Sequence, residues 1–208
     1  MQKEAELLPR LWRIVYINGS CMHTQKGFTL IELLVALGVF AVIGVSVSGI
    51  FLFTSRSQRK SALQERALGD ARYIMESIAG DIRVGIPDYT AYGGPVGAAG
   101  VDLLRLRYED GAAIIYRRSS DAAECPASSA PCVMRDVGGI GASLTSQGVV
   151  VDTLLFYIAP ATNPFSPGAS TLAQPRVTIV LRVRAQEPGV DPVDIHVQTT
   201  ASSRVYGL

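Results

Sequence analysis

"KGFTLIELLVALGVFAVIGVSVSGIFLF" occupies Lys26–Phe53. From Phe28 to Phe53 the only charged residue is Glu32, and the other polar residues are Thr29, Ser46 and Ser48. A run of about 18 or more apolar residues is long enough to cross a bilayer as a helix. This run exceeds that length, which predicts a span with tilt or overhang. A secretory signal has an apolar core of roughly 7–15 residues followed by small residues at the cut. Here the core is longer and ends in "GIFLFTSRSQRK", with no A-x-A-like site. Glu32 is the anomaly. A carboxylate costs about 2.5–3.5 kcal/mol at the bilayer centre and less near the interface, so it usually has a partner. The span itself contains no cation. The partner must come from another molecule, or from a newly made amine at this chain's own N-terminus.

After Phe53 the composition changes while the helical period continues. "SRSQRKSALQERALGDARYIMESIAGDIRVG" places Leu63, Ala67, Ala71, Ile74, Ile78 and Ile82 three and four residues apart. That spacing makes one stripe of an amphipathic helix. Arg72 and Glu76 form an i,i+4 pair on its polar side. No proline lies between Phe28 and Ile86, and Gly85 and Pro87 supply the stop. One continuous helix from about Phe28 to Arg83 follows, on the order of 80 Å long. Its first half, 28–53, lies in lipid, and its second half, 54–85, needs a partner for the stripe.

Residues 86–208 supply that partner. "VDLLRLRY" (Val101–Tyr108) and "AAIIYRR" (Ala112–Arg118) flank "EDG", a hairpin signal. Val149–Ile158, Arg176–Arg184 and Val193–Thr200 read as three further strands, the last following "EPGVDP". Strands joined by turns without intervening helices favour an antiparallel sheet. The expected class is therefore α+β, a long N-terminal helix packed on an antiparallel β-sheet. Two long loops interrupt the strands. One carries Cys125 and Cys132 and continues into "DVGGIGASLTSQG"; the other is "APATNPFSPGASTLAQP".

Composition bounds the functional classes. The 208 residues carry a net charge of +1, with 48% hydrophobic and 18% charged residues. The chain is too apolar for disorder and low in charge for a simple soluble domain. Arg10, Arg13 and Lys26 before the span nearly balance Arg56, Arg59 and Lys60 after it, so charge alone does not orient it. Six residues separate Cys125 from Cys132 in "ECPASSAPCV". That spacing suits a disulfide and places the C-terminal part outside the cytosol. Cys21 precedes the span. Residues 1–27 read as a leader. Met22 is the expected translation start, which would leave a six-residue leader ending at Gly27.

No catalytic constellation emerges. The histidines are His23 and His196, and His196 alternates with apolar neighbours in a strand. No Cys/His metal spacing occurs, "GGIGAS" lacks the lysine of a phosphate loop, and Asp191 and Asp194 leave any cation site incomplete. No cofactor and no enzymatic activity are expected. Residues 86–208 contain no lysine, and their arginines recur at alternate positions, Arg105 and Arg107, then Arg182 and Arg184. They read as solvated strand faces. A phosphate-binding surface for nucleic acid is the sharper alternative, opposed by the slightly acidic charge of this region.

"KGFTLIELLVAL" resembles the N-terminal signature of type IV prepilins and type II secretion pseudopilins. The resemblance implies that a prepilin peptidase cuts after Gly27, with Lys26 as the leader's basic residue. It also implies methylation of the new Phe28 amine. Glu32 would then meet a neighbouring subunit's N-terminal amine during filament assembly. The family fold is a long helix packed on an antiparallel sheet, a type IV pilin-like fold. "ALGDARYIMESIAGDIR" is similar to W-type minor pilins and J-type minor pseudopilins. The proline that kinks many major pilins is missing, leaving Gly38, Gly44 and Gly49 as weak points. The implied product is a minor pilin or pseudopilin, single-pass in the inner membrane with an extracytoplasmic C-terminal domain. Its implied partners are the peptidase, other pilin subunits, the inner-membrane assembly platform and lipid. A filament-borne adhesin or DNA-uptake module, and a single-span protein outside any filament, are the alternatives.

Overall fold

The computed structural model describes residues 27–169 and 173–205. Residues 1–26 of the expected leader, including Cys21, Met22 and Lys26, lie outside the described residues. A single helix, α1 (Leu30–Val84), runs 55 residues without interruption. Gly38, Gly44 and Gly49 do not break it. The chain divides between Gly49 and Ile50 into two compact units, and α1 contributes to both.

In the first unit every described residue of α1 is exposed. No residue of its most apolar 18-residue window is buried within the protein. In the second unit the stripe is buried as its spacing predicts: Leu63, Ala67, Ala71, Ile74, Ile78 and Ile82, joined by Met75 and Ala79. One expected contact is missing. Among the described residues Arg72 and Glu76 form no ion pair. Water screens such an exposed pair, and holding two long side chains costs entropy.

The rest of the described chain forms eight strands, in two sheets where the sequence suggested one. The first is a meander in the order β1 (Ile86–Pro87), β2 (Leu103–Arg107), β3 (Ala113–Ser119), β4 (Cys132–Val137), β5 (Ile140–Ser143). The second is β6 (Val149–Ala159), β7 (Arg176–Glu187), β8 (Val190–Ser202). Every pairing is antiparallel. The β6 edge is tied back toward the first sheet. Val101 and Phe156 exchange two backbone hydrogen bonds of 2.8 Å, and Val151 N–H donates to the Pro131 carbonyl at 2.7 Å. Both sheets and α1 share one core, in which Tyr116 and Phe156 are the largest fully buried side chains.

The alternation along β6 shifts phase. Val149 and Val151 face the core, then Leu154, Phe156 and Ile158 do. A bulge between Val151 and Thr153 absorbs the extra residue, Asp152. A bulge lets two residues oppose one on the partner strand, so both ends of the strand keep their apolar residues inward. On β7, Val177, Ile179, Leu181, Val183 and Ala185 alternate into the core without a slip.

One polar cluster pins the end of α1. The Asp81 carboxylate accepts hydrogen bonds from Tyr108 Oη at 2.9 Å, Tyr116 Oη at 2.5 Å and Arg135 Nε at 3.0 Å. These donors come from the β2–β3 turn, β3 and β4, so one carboxylate joins the helix to three neighbouring segments. Burial first, and the bond to Asp81 second, push the Tyr108 hydroxyl up to about 12. Tyr108 therefore stays a donor throughout the physiological range.

Asp81→Ala is expected to leave two hydroxyls and a guanidinium facing a mostly buried gap. Losing one partner of such a charged cluster costs about 3–5 kcal/mol. Arg72→Ala is expected to fall within about 0.5 kcal/mol of the parent, because it removes no such contact. Urea unfolding of the two full-length variants in detergent measures the difference, and equal midpoints would refute the role given to Asp81.

Candidate functional site

The stretch with the unpartnered acid starts in irregular chain. Gly27, Phe28 and Thr29 precede α1 and belong to no element. Phe28 is 83% exposed. An added Cβ on Gly27 would meet no atom within 4 Å, so this chain's own packing does not require glycine there. Thr29 is the N-cap. Its carbonyl accepts from Glu32 and Leu33 N–H at 3.1 and 3.2 Å, and its Oγ1 accepts from Glu32 N–H at 3.3 Å. The sequence thus carries a T-x-x-E capping pattern, Thr29 to Glu32. The signal was present in the sequence but stood inside a run read for hydrophobicity.

The cap explains one role for Glu32. A carboxylate in the first turn complements the positive end of the helix dipole. The remaining acceptor capacity is unused. Among the described residues the Glu32 carboxylate accepts no hydrogen bond and joins no ion pair. The other polar groups of the span are satisfied locally. Ser46 Oγ donates to the Val42 carbonyl at 2.9 Å, and Ser48 Oγ donates to the Gly44 carbonyl at 2.8 Å. Glu32 is therefore the one described polar side chain in the span left open to an outside partner.

The other sites expected from sequence resolve differently. Cys125 and Cys132 form a disulfide, as their spacing suggested. The loop before β4 is held further by Arg117, which grips Glu124 through two bonds of 2.7 and 2.9 Å and Asp136 through one of 3.1 Å. Arg117 and Ser119 together hold the Glu124 carboxyl down to about 2. "DVGGIGAS", expected as loop, instead forms the β4–β5 hairpin. Val137 pairs with Ile140, and Gly138 and Gly139 sit at φ 59° and 89°. Two successive left-handed residues fit the two-residue turn that matches strand twist.

Arg182 and Arg184 are not free for phosphate. Arg184 reaches Asp152 at 2.8 Å and Asp194 at 2.9 Å, and Arg182 lies 3.6 Å from each. Two cations thus meet two carboxylates, and the patch is locally neutral. The bulge residue Asp152 could not be assigned this role from sequence. Asp194 is engaged by Arg184, which holds its carboxyl below the ordinary range. Among the described residues no three His, Cys, Asp or Glu side chains converge as a metal site.

Comparison with family models gives a match at the N-terminal end of the described helix. Residues 22–48 match the prokaryotic N-terminal methylation motif. The match contains Gly27, Phe28 and Glu32 and leaves residues 49–208 outside it. It supports a type IV pilin-like or pseudopilin-like protein. Comparison with curated proteins and with solved structures gives no significant match.

Two measurements test the cysteine loop. A Cys125→Ser/Cys132→Ser chain is expected to lose roughly 2.5 kcal/mol, the entropy of so small a closed loop in the unfolded chain. An unchanged denaturation midpoint would contradict this. Glu124 makes an acid-dependent contribution. Its folded value of about 2 lies below the ordinary 4.5. Its stabilisation is therefore complete above 4.5 and is lost as pH falls toward 2. Glu124→Gln is expected to flatten the pH dependence of unfolding across that window; identical acid profiles would exclude the contribution.

Proposed function

We propose that this protein is a minor pilin or pseudopilin, a low-copy structural subunit of a type IV pilus-like or type II secretion filament. In this reading a prepilin peptidase removes the leader after Gly27 and methylates the Phe28 amine. The first half of α1 anchors the chain in the inner membrane, with the C-terminal domain outside the cytoplasm. It then packs among other subunits as the filament assembles. The carrying observation is the isolation of Glu32. It is the single carboxylate of the exposed apolar span of α1, whose serines are satisfied within the helix. An N-terminal amine on a neighbouring subunit is a cation of the right size and depth to meet it.

The short irregular segment before Leu30 supports cleavage, because a peptidase needs an extended, accessible chain. The missing proline and the unbroken helix agree with a minor rather than a major subunit. The neutral Arg182–Arg184 patch offers no support for a DNA-binding module.

Two variants separate processing from assembly. A Cβ added at Gly27 meets nothing within 4 Å among the described residues, so the effect of Gly27→Leu is read as one on the peptidase. It is expected to accumulate unprocessed, with no methylated Phe28 terminus by mass spectrometry. A processed product would refute the cleavage assignment. Glu32→Ala keeps the Thr29 cap, which uses the backbone N–H of residue 32. It is expected to be cleaved and methylated normally yet absent from sheared filaments. Wild-type incorporation would remove the pairing role.

A further inference from the structure

The buried stripe of α1 does not stop at Leu63. Continued toward the N-terminus at the same spacing, it passes through Lys60, Ser57, Arg56 and Phe53. At these positions the sheet no longer covers the helix, and all four residues are exposed. They form one wall of a cavity of about 500 Å³, and the β7–β8 turn at Gly189–Asp191 forms the other. Thus the face that is aliphatic under the sheet becomes cationic just beyond it, directly after the last apolar residue of the span.

We propose that this cavity binds the phosphate of an anionic phospholipid from the membrane that holds the helix. The proposal rests on the membrane-spanning reading of α1. Depth is the first argument. The 21 residues from Leu33 to Phe53 rise about 31 Å at ~1.5 Å each, close to the ~30 Å hydrocarbon core. That match sets Glu32 at one interface and Arg56 and Ser57 at the other. Lys60 stands roughly 10 Å beyond Phe53, but helical side chains lean toward the N-terminus, here toward the lipid.

Charge is the second argument. Between Glu32 and Glu65 α1 contains no carboxylate, while Arg56, Arg59 and Lys60 follow within two turns of Phe53. The only acid in the cavity is Asp191, which is 88% exposed and 3.9 Å from Lys60 Nζ. One loose carboxylate leaves the Arg56 guanidinium unneutralised. The mix of an aromatic ring for the acyl boundary, a guanidinium, an ammonium and the Ser57 hydroxyl suits a phosphodiester at the edge of hydrocarbon.

The test uses the full-length chain in nanodiscs of equal parts phosphatidylcholine and phosphatidylglycerol. Native mass spectrometry of the released protein counts the retained lipids. Phosphatidylglycerol adducts are expected in roughly five-fold excess, the effect of about one well-placed cation at a membrane surface. Arg56→Gln/Lys60→Gln is expected to bring the ratio near parity, with an unchanged circular dichroism spectrum, while Arg72→Gln keeps the excess. Parity in the parent chain, or an excess surviving in the double variant, overturns the proposal. Loss of the excess on adding inorganic phosphate alone would assign the cavity to a free anion and also overturn it. Failure of the chain to enter these nanodiscs would instead refute the spanning reading, and the headgroup site with it.

Discussion

One helix must satisfy two solvents, and the rest of the structure follows from how it does so. The first half of α1 is apolar on every side and exposed, so no face of it selects a partner within the chain. In the second half a single stripe is apolar, and it is buried in one core with residues of both sheets. Backbone hydrogen bonding is the same in both halves, so the helix assignment runs on without interruption. Only side-chain polarity marks the change. A helix apolar all round must be buried somewhere, in lipid or among other helices, and a stripe needs only one layer of sheet.

Two carboxylates on that helix make the contrast concrete. Asp81 accepts bonds from two tyrosines and an arginine and is consumed in holding the domain together. Glu32 sits in a simpler environment with no described partner beyond its own helix end. Both occupy places where an unpaired charge is costly, and only one is compensated by this chain. An acid whose compensation is missing from its own fold is the mark of an interaction completed by another molecule.

Much of this was legible in advance, for identifiable reasons. The span and the stripe are long, and their periods are strong, so the six stripe residues were named correctly. Five strands were found because each is an apolar or alternating run bounded by turn residues. The β4–β5 hairpin was missed because Gly138, Gly139 and Gly141 dilute any hydrophobic pattern, although the Gly-Gly pair is itself a turn signal. The division into two sheets was also missed. It depends on where β6 meets Val101 and Pro131, contacts made between residues far apart in sequence. The Thr29–Glu32 cap was readable but masked by the reading of the same residues as membrane. The neutrality of Arg182 and Arg184 was not readable, because it depends on a bulge that brings Asp152 to them.

Charge placement then separates what the head does for itself from what it leaves open. Arg105, Arg117, Arg135, Arg182 and Arg184 each lie against a carboxylate of the same chain. Those pairs consume charge internally. Along the helix the balance fails at both ends of the apolar run, with Glu32 at one and Arg56 at the other. With 23 residues of helix between them, this acid and this base do not neutralise each other. On the readings proposed above, each is met by something outside the chain, an amine at one level and an anion at the other. The apolar run between them, matched to a bilayer in length, is what keeps these two demands apart.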